Sequence, residues 1–349
     1  MKKVLILSLL LSIAAGALML GGCSFKSADN GVKEAFQLIK TGDYEKAMAK
    51  LETAEKNGED AELVLRGKGI ASMGLSDYEA AVKYLEDALS ESDGRITDLE
   101  YDISEYLAVA QYRNGDKEGA VDTCNAILNL DDKKSDVYYL RGKAELGLGN
   151  KEDAITDFNA AVKADSKNPD LYINIYEALR SMGFEEEGNS YLKSAMELTT
   201  LNNYQKGRLY FWRGEYDSAR DCLETAQKEG GQNEVILYLG RTYEALGDTS
   251  YAAQLYRNYI KENPGDAGIC NQLGICEMTN GNYEEALEAF EQGIAANDNE
   301  TMQSLKYNEI VAHEYLSNFK KAAVLMETYL KTYPDDDNAK RENAFLSTR

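Results

Sequence analysis

Residues 281–286 read GNYEEA, and this stretch decides the fold because its pattern recurs along the chain. Residues 42–47, GDYEKA, are a near copy. The small residue that ends the motif returns at nine positions: Ala47, Ala81, Ala120, Ala154, Gly188, Ala219, Ala252, Ala286 and Ala322. Successive positions are 31 to 39 residues apart, and most often 34. A period near 34 is typical of stacked helix pairs, because one pair is too small to bury its own apolar face.

Two further columns place a helix boundary inside each repeat. Five residues before each small residue stands glycine or serine: Gly42, Ser76, Gly115, Gly149, Gly183, Gly214, Gly247, Gly281 and Ser317. Glycine accepts the left-handed backbone that ends a helix, so the first helix is predicted to stop there. The next residue is in most repeats Asp or Asn: Asp43, Asp77, Asp116, Asn150, Asp248, Asn282 and Asn318. These side chains are predicted to cap a second helix.

A bulky residue four positions after each small one shares its face of the second helix. This column reads Leu51, Leu85, Cys124, Phe158, Leu192, Leu223, Tyr256, Phe290 and Met326. Small residues also recur in the first helix, and small beside large lets two helices approach closely. Tyr176 and Ile310 interrupt that first-helix column. The fifth and ninth repeats are therefore expected to pack more loosely.

These columns resemble the tetratricopeptide repeat, a helix–turn–helix unit of 34 residues. The resemblance covers about residues 28–336 and implies an all-α, right-handed α-solenoid of about nine repeats. An ordinary helical bundle is the alternative, but a bundle has no reason to repeat its helix boundaries nine times. We expect five repeats in residues 32–200, four in residues 201–336, and a polar capping tail in residues 337–349. The shortened spacing near residues 199–203 suggests the division between the two sets.

Residues 1–22 have the pattern of a signal peptide. Lys2 and Lys3 precede the apolar stretch 4–20, and residues 20–23, LGGC, resemble a bacterial lipobox. That resemblance implies cleavage before Cys23 and acylation of its thiol, with residues 23–31 as a short linker. An uncleaved membrane helix is the alternative, although the apolar stretch is a little short for one. We therefore expect a lipid-anchored protein on the extracytoplasmic face of a bacterial cell membrane.

Charge and residue inventory exclude several classes of function. A net charge of −22 argues against nucleic-acid binding through a basic field. The remaining four cysteines show no metal-ligand spacing and are expected to be free thiols: Cys124, Cys222, Cys270 and Cys276. The one histidine, His313, is expected to be structural, and no G-x-S-x-G or P-loop spacing occurs. We expect no catalytic residue, no metal site and no cofactor.

In tetratricopeptide repeats the first helices line the inner groove, and the resemblance places cations and aromatic rings there. The candidate partner-binding residues are Arg66, Arg113, Lys143, Arg180, Arg208, Phe211, Trp212 and Arg241. Arginine beside aromatic residues is a common composition of interaction hot spots. The expected partner is therefore a protein or peptide segment that is acidic and partly apolar. The alternative is that these cations pair with neighbouring carboxylates and bind no partner.

The sequence thus favours a membrane-anchored scaffold for protein–protein interactions at the cell envelope. A receptor for a short extracellular peptide, using the same groove, is the second hypothesis. An enzyme is the third and the least supported. The partner, the biological process, the oligomeric state and the type of envelope stay open.

Overall fold

A computed structural model describes residues 30–92, 94–231, 233–296 and 299–348, and these residues form nineteen helices and no strand. They divide into two compact units, the first unit at residues 30–198 and the second unit at residues 199–348. The helices of the first unit are α1 (Asn30–Lys40), α2 (Tyr44–Lys56), α3 (Ala61–Gly74), α4 (Tyr78–Ser90), α5 (Asp98–Arg113), α6 (Lys117–Leu130), α7 (Ser135–Leu148), α8 (Lys151–Ala164), α9 (Pro169–Ser181) and α10 (Glu185–Met196).

The helices of the second unit are α11 (Asn203–Trp212), α12 (Tyr216–Lys228), α13 (Asn233–Ala245), α14 (Thr249–Glu262), α15 (Ala267–Asn280), α16 (Tyr283–Ala295), α17 (Asn299–Tyr315), α18 (Phe319–Thr332) and α19 (Asp337–Leu346). Consecutive helices pair into nine hairpins, five in the first unit and four in the second. The all-α fold of nine helix–turn–helix units is therefore confirmed. The final helix, α19, packs on α18 and buries Ala339 and Leu346.

The glycine or serine column ends the first helix of every hairpin. All nine of its residues have positive φ, between 61° and 87°. Seven are glycine, which adopts this conformation without steric cost. Ser76 and Ser317 adopt it at φ 62° and 61°, where their Cβ atoms are crowded against the backbone. The turn is thus a property of the position in the repeat, and serine is held in it by the surrounding hairpin.

The predicted caps of the second helices are only partly present. Three carboxylates accept a hydrogen bond from the backbone N–H three residues on: Asp77, Asp116 and Asp248. Four side chains make no such bond: Asp43, Asn150, Asn282 and Asn318. Asn150 and Asn282 instead each donate from Nδ2, at 2.7 Å, to a glutamate near the end of the preceding helix. These amides fasten the turn rather than cap the following helix.

The small and bulky columns form the core of each hairpin. Every residue of the bulky column is fully buried, with no exposed surface at Leu51 or Phe290. At the fifth hairpin the sizes are exchanged: Tyr176 on α9 is buried against Gly188 on α10. A Cβ on Gly188 would lie 2.9 Å from Cδ2 of Tyr176. The expectation of looser packing there is wrong, because a large side chain on the first helix faces glycine on the second.

Candidate functional site

The first helices of the hairpins lie close to one another in each unit. In the first unit α1 contacts α3, and the contacts continue from α3 to α5, from α5 to α7 and from α7 to α9. In the second unit α11, α13, α15 and α17 contact one another in the same order. Successive second helices make no comparable contact in the described part of the chain. The first helices therefore line the narrower side of each stack, which is the side expected to bind a partner.

Six side chains on α11 and α13 form what we term the ring–guanidinium cluster: Tyr204, Arg208, Phe211, Trp212, Tyr238 and Arg241. The cluster lies within the second unit. Four of its members were among the expected partner-binding residues, and the structure brings all four together. The members on α11 stand at positions 204, 208, 211 and 212, a spacing that places them on one helix face.

The rings of the cluster pack edge to face around Phe211. The Phe211 ring centroid lies 5.4 Å from that of Trp212 and 5.6 Å from that of Tyr238, at interplanar angles of 79° and 82°. Tyr204 lies 6.2 Å from Tyr238 at 70°. Such T-shaped contacts join the positive edge of one ring to the negative face of the next. Trp212 and Tyr238 are buried, whereas Tyr204 and Phe211 are half-buried, so the cluster is rigid yet reachable from solvent.

Both guanidinium groups lie over ring faces. The central carbon of the Arg241 guanidinium is 5.0 Å from the Phe211 centroid and 5.6 Å from that of Trp212. The equivalent atom of Arg208 is 5.1 Å from the Tyr238 centroid. Stacking on rings positions a guanidinium while leaving its edge N–H groups available as donors. The cluster therefore presents fixed positive charge on an aromatic floor.

Arg241 is half-buried and makes no hydrogen bond or ion pair with a described residue. The nearby acid Glu244 is engaged elsewhere, because its Oε1 accepts the Tyr256 hydroxyl at 2.9 Å. Burial raises the pKa of Glu244, and Arg241 acts against that rise. A carboxylate that already accepts the Tyr256 hydroxyl is a weaker competitor for Arg241. The Arg241 guanidinium can thus donate hydrogen bonds to a carboxylate from another molecule.

Glycines on the backs of α11 and α13 hold these helices against their hairpin partners. A Cβ on Gly207 would lie 2.5 Å from Cγ of Leu223, and a Cβ on Gly240 would overlap the Tyr256 ring. At the start of α11, Asn202 Oδ1 accepts from the Gln205 N–H at 2.8 Å and Gln205 Oε1 accepts from the Asn202 N–H at 3.0 Å. This reciprocal capping fixes where the helix begins. The close packing fixes how near α11 and α13 lie to their hairpin partners, and the cap fixes the first residue of α11. Together they position the side chains of the cluster.

The first unit has a smaller cationic site around Lys143 on α7. Its Nζ atom lies 4.8 Å from the Tyr112 ring centroid and 5.6 Å from that of Tyr139. Burial, and then the nearby Arg113 charge, lower the pKa of Lys143 to about 8, while Glu177 acts in the opposite direction. No hydrogen bond or ion pair with a described residue reaches this ammonium group. Two cations therefore face one carboxylate here, which leaves an excess of positive charge.

Arg66 is not part of an accessible surface, and its assignment as a partner-binding residue is wrong. Its side chain is 1% exposed and its Nε donates to Asp102 Oδ2 at 2.5 Å. The guanidinium lies between the rings of Phe36 and Tyr106, at 4.9 and 5.5 Å from their centroids. The alternative that the cations pair with neighbouring carboxylates therefore holds for Arg66. It does not hold for Lys143 or Arg241, which form no ion pair with a described residue. Burial of an arginine inside a helix stack depends on neighbours that are distant in sequence.

The remaining candidates are exposed at helix ends. Arg113 is the last residue of α5 and Arg180 lies near the end of α9. Tyr238 is a member of the cluster that was not among the residues expected from the sequence. Its position three residues before Arg241 on α13 places both on one helix face, which is the signal that could have found it. Cys23 lies outside the described residues.

The cysteines are free where the structure describes them. Cys124, Cys270 and Cys276 are buried, and Cys222 is half-buried. Burial raises the pKa of Cys270 to about 11 and that of Cys124 to about 12, so neither is a thiolate near neutral pH. In the described part of the chain every helix is too short or too polar to cross a bilayer.

Comparisons with known proteins agree with this geometry. Three family models described as tetratricopeptide repeat match the chain, at residues 243–307, at residues 135–168, and at 37–96, 66–136 and 204–267. Together the matches reach from residue 37 to 168 and from 204 to 307. No curated protein sequence matches the chain.

Solved structures with similar folds include yeast Tom70, which has a TM-score of 0.60 and 17% identity over 89% of this chain and 69% of Tom70. A tetratricopeptide repeat protein from Parabacteroides merdae has a TM-score of 0.48 and 15% identity over 72% of this chain and 98% of its own. Human IFIT1 has a TM-score of 0.45 and 17% identity over 93% and 87% of the two chains. At these identities only the likeness to Tom70 bears on the fold, and it bears on the fold alone.

Stacked helical hairpins with a ring-and-cation surface on their first helices define a repeat protein of the interaction-scaffold class. The chain belongs to the tetratricopeptide repeat family. This fold is typically a non-catalytic scaffold for binding other proteins.

Proposed function

We propose that this protein is a membrane-anchored, extracytoplasmic scaffold of the bacterial cell envelope that binds a protein partner at the ring–guanidinium cluster. The observation that carries the binding part is Arg241, which is stacked over Phe211 and Trp212 without an ion pair to a described residue. A positioned but unpaired guanidinium on an aromatic floor is typical of a residue that dominates binding energy.

The chemistry of the cluster favours an acidic segment that also carries apolar side chains. A carboxylate of the partner can pair with the Arg241 guanidinium, and an apolar side chain can cover Phe211. Burying one large apolar side chain contributes about 1.5–3 kcal/mol, and a charge-assisted hydrogen bond contributes about as much. The net charge of −22 repels an acidic segment at long range, so binding would depend on short-range contacts with the cluster.

The anchoring part of the proposal rests on sequence alone. Cys23 follows the lipobox-like residues 20–22, and α1 begins at Asn30. The short segment between them spans at most about 25 Å when fully extended. The first hairpin would therefore lie close to the bilayer surface, and the acyl chains would hold the scaffold there.

Site-specific photo-crosslinking in the native membrane tests the binding proposal. A photoreactive phenylalanine analogue replaces Phe211 in one variant and Val324 in another. Val324 on α18 is 63% exposed and outside the cluster, so it controls for random collision. We expect a discrete protein adduct at position 211 and none at position 324. Equal crosslinking at both positions, or none at 211, would contradict the proposal.

Metabolic labelling with a fatty acid tests the anchor. The wild-type protein should incorporate the label and remain in the membrane fraction, whereas Cys23→Ser should do neither. Because the one other cysteine that is not buried in the described residues is Cys222, Cys222→Ser is the matched control and should keep the label. Label retained by Cys23→Ser would refute acylation at that residue.

A receptor for a short extracellular peptide is the second candidate. The cluster is confined to α11 and α13, an extent that suits a few residues of a ligand. The mass of the adduct formed at position 211 separates the two functions. If the mass added to the protein by crosslinking is that of an intact protein, the scaffold is supported. If the added mass is that of a short peptide, the receptor is supported.

A further inference from the structure

Three ligand-type side chains meet on two packed helices of the second unit, away from the cluster described above. They are Glu291 on α16 and Glu309 and His313 on α17. One carboxylate oxygen of each glutamate and one ring nitrogen of His313 lie within 4.8 Å of one another. The sequence analysis expected no metal site and assigned His313 a structural role, so this grouping was not foreseen.

The histidine at the centre of this group lacks the hydrogen bonds that a buried imidazole normally makes. His313 is only 6% exposed. Neither Nδ1 nor Nε2 has a hydrogen-bond partner among the residues that the structure describes. Buried side-chain polar atoms are bonded in the large majority of cases, and an exception calls for an explanation such as a bound ion. One of these two nitrogens lies within 4.8 Å of an oxygen of each carboxylate.

The helices present these side chains for simple geometric reasons. Glu309 and His313 are four residues apart, so they lie one above the other on the same face of α17. Glu291 comes from α16, which packs closely against α17. A Cβ added to Gly293 would lie 2.6 Å from Cδ2 of Leu305, so glycine is what permits this approach. The third ligand is therefore supplied by the preceding hairpin and brought near by a small residue.

The charges around the group suit a neutral imidazole beside carboxylates. Burial, followed by the charge of Lys321, lowers the pKa of His313, while Glu291 acts in the opposite direction. The neutral imidazole is the form that binds metals. Burial and Glu291 raise the pKa of Glu309, while Lys321 and Lys306 act against this rise. The positive charges of these two lysines would repel an incoming metal ion.

We propose that Glu291, Glu309 and His313 bind one divalent transition-metal ion, and that the ion fastens the eighth hairpin to the ninth. One nitrogen and two oxygen ligands suit Zn²⁺ and its neighbours in the first transition series. An imidazole ligand disfavours Ca²⁺ and Mg²⁺, which take oxygen, and the absence of a thiolate in the group disfavours Cu⁺.

Binding requires a modest closing movement. At the usual metal–ligand distances of about 2.0–2.1 Å, tetrahedral ligand atoms are about 3.3 Å apart. The longest separation in the group must therefore shrink by at most about 1.5 Å, which rotation of the exposed Glu291 side chain can supply. Three protein ligands would leave at least one coordination position for water.

The single histidine makes the test unusually direct. The protein is labelled with ¹⁵N-histidine, any affinity tag is removed, and Zn²⁺ is added in steps. One imidazole is then observed, and we expect its coordinating nitrogen to shift until one equivalent of Zn²⁺ is bound. Equilibrium binding measured by competition with a fluorescent chelator should show a matching single site. An imidazole signal that does not respond to Zn²⁺ overturns the proposal.

Variants separate coordination from chance binding to an acidic surface. Glu309→Gln and Glu291→Gln should each weaken Zn²⁺ binding at least about tenfold. Glu284→Gln, at an exposed glutamate in the first turn of α16, is the matched control and should bind like the wild type. Lys321→Ala should bind more tightly, because it removes an opposing charge. If Glu284→Gln loses as much affinity as Glu309→Gln, the binding is diffuse and the proposal fails.

Two measurements guard against misfolding and against thiol ligands. Circular dichroism should show wild-type helicity in Glu291→Gln, whose side chain is exposed and has no structural role in the core. The absorption spectrum of the Co²⁺ complex should lack thiolate charge-transfer bands, because no cysteine belongs to the group. Thermal unfolding should shift upward with Zn²⁺ in the wild type and not in Glu309→Gln. Thiolate bands, or an equal shift in both proteins, would overturn the assignment.

Discussion

A Cβ atom added to Gly142 would lie 2.7 Å from Cε1 of Phe158, the bulky residue that faces it from the second helix of the same hairpin. The α7 backbone therefore rests on the Phe158 ring. The contact joins one of the small residues that recur in the first helices to one position of the bulky column on the second helices, and it shows why both recur. Fixed size on both helices sets the distance between them.

Gly142→Ala should destabilise the protein by about 1–3 kcal/mol, because the added methyl group overlaps a fully buried ring. Chemical unfolding followed by circular dichroism measures the change. Gly268→Ala is the control, since a Cβ there meets only Asp266 Oδ1 at 3.5 Å in helix α15. That variant should be as stable as the wild type or slightly more so. A Gly142→Ala protein with unchanged stability would mean that the two helices are not in close contact.

Ser76→Gly should stabilise the protein, because serine is held at φ 62° where glycine is unstrained. The relief of roughly 1–2 kcal/mol is partly offset by the greater backbone entropy of glycine, so a net gain of about 0.5–1 kcal/mol is expected. Ser190→Gly, at an exposed position in the right-handed helix α10, should instead destabilise by roughly 0.5 kcal/mol. Both variants replace serine with glycine, but their free energies of unfolding should change in opposite directions. A change in the same direction for both would contradict the left-handed turn at Ser76.

Asp102→Asn should destabilise the first unit by about 3–5 kcal/mol, because it leaves the Arg66 guanidinium charged and buried without its counter-ion. Arg66→Met combined with Asp102→Asn should recover much of that loss, since no buried charge then remains. Unfolding midpoints of the two proteins give the comparison. If the double variant is no more stable than Asp102→Asn, the ion pair does not explain the burial of Arg66.

Lys143 should make stability rise with pH. Its pKa is lowered to about 8 in the folded chain from 10.5, so the unfolded chain binds more protons between these values. Below pH 8 the cost of the buried ammonium is fully present, and it is relieved as the pH rises towards 10.5. Lys143→Met should therefore be more stable than the wild type at pH 7 and less dependent on pH above 8.

Urea midpoints at pH 7 and pH 9.5 measure this effect. The control is Lys163→Met, at an exposed residue of α8, which should follow the wild type at both pH values. Tyrosine ionisation is common to all three proteins and cancels in the comparison. A pH dependence that is the same for Lys143→Met and the wild type would contradict the lowered pKa of Lys143.

The sequence predicted the hairpins because their determinants are local. The positive φ at residue 281 and the burial at residues 286 and 290 all belong to one turn and one helix face. The caps were predicted less well, since Asn282 could bond either to its own helix or back to Glu277, and the sequence does not rank these choices. Residues close in sequence determine the repeat unit, but they do not determine which of two possible hydrogen bonds a side chain such as Asn282 makes.

The candidate site was only partly predictable because burial depends on distant residues. Arg66 and Arg241 both lie on first helices and stack on aromatic rings. Asp102 pairs with Arg66, whereas no described carboxylate forms an ion pair with Arg241. Glu291 and His313 likewise meet only because two hairpins stack. Spacing along the chain identifies residues that share a helix face, but it does not identify what the next helix places against them.

Charge reversal at the ring–guanidinium cluster shows whether the Arg241 guanidinium binds the partner. The photoreactive analogue at position 211 is combined with Arg241→Glu or with Arg220→Glu. Arg220 on α12 is paired with Asp217 and Asp221, so its reversal changes the net charge equally without touching the cluster. We expect Arg241→Glu to lower the yield of crosslinked partner at least about tenfold, and Arg220→Glu to leave it unchanged. Equal yields from the two variants would contradict this expectation.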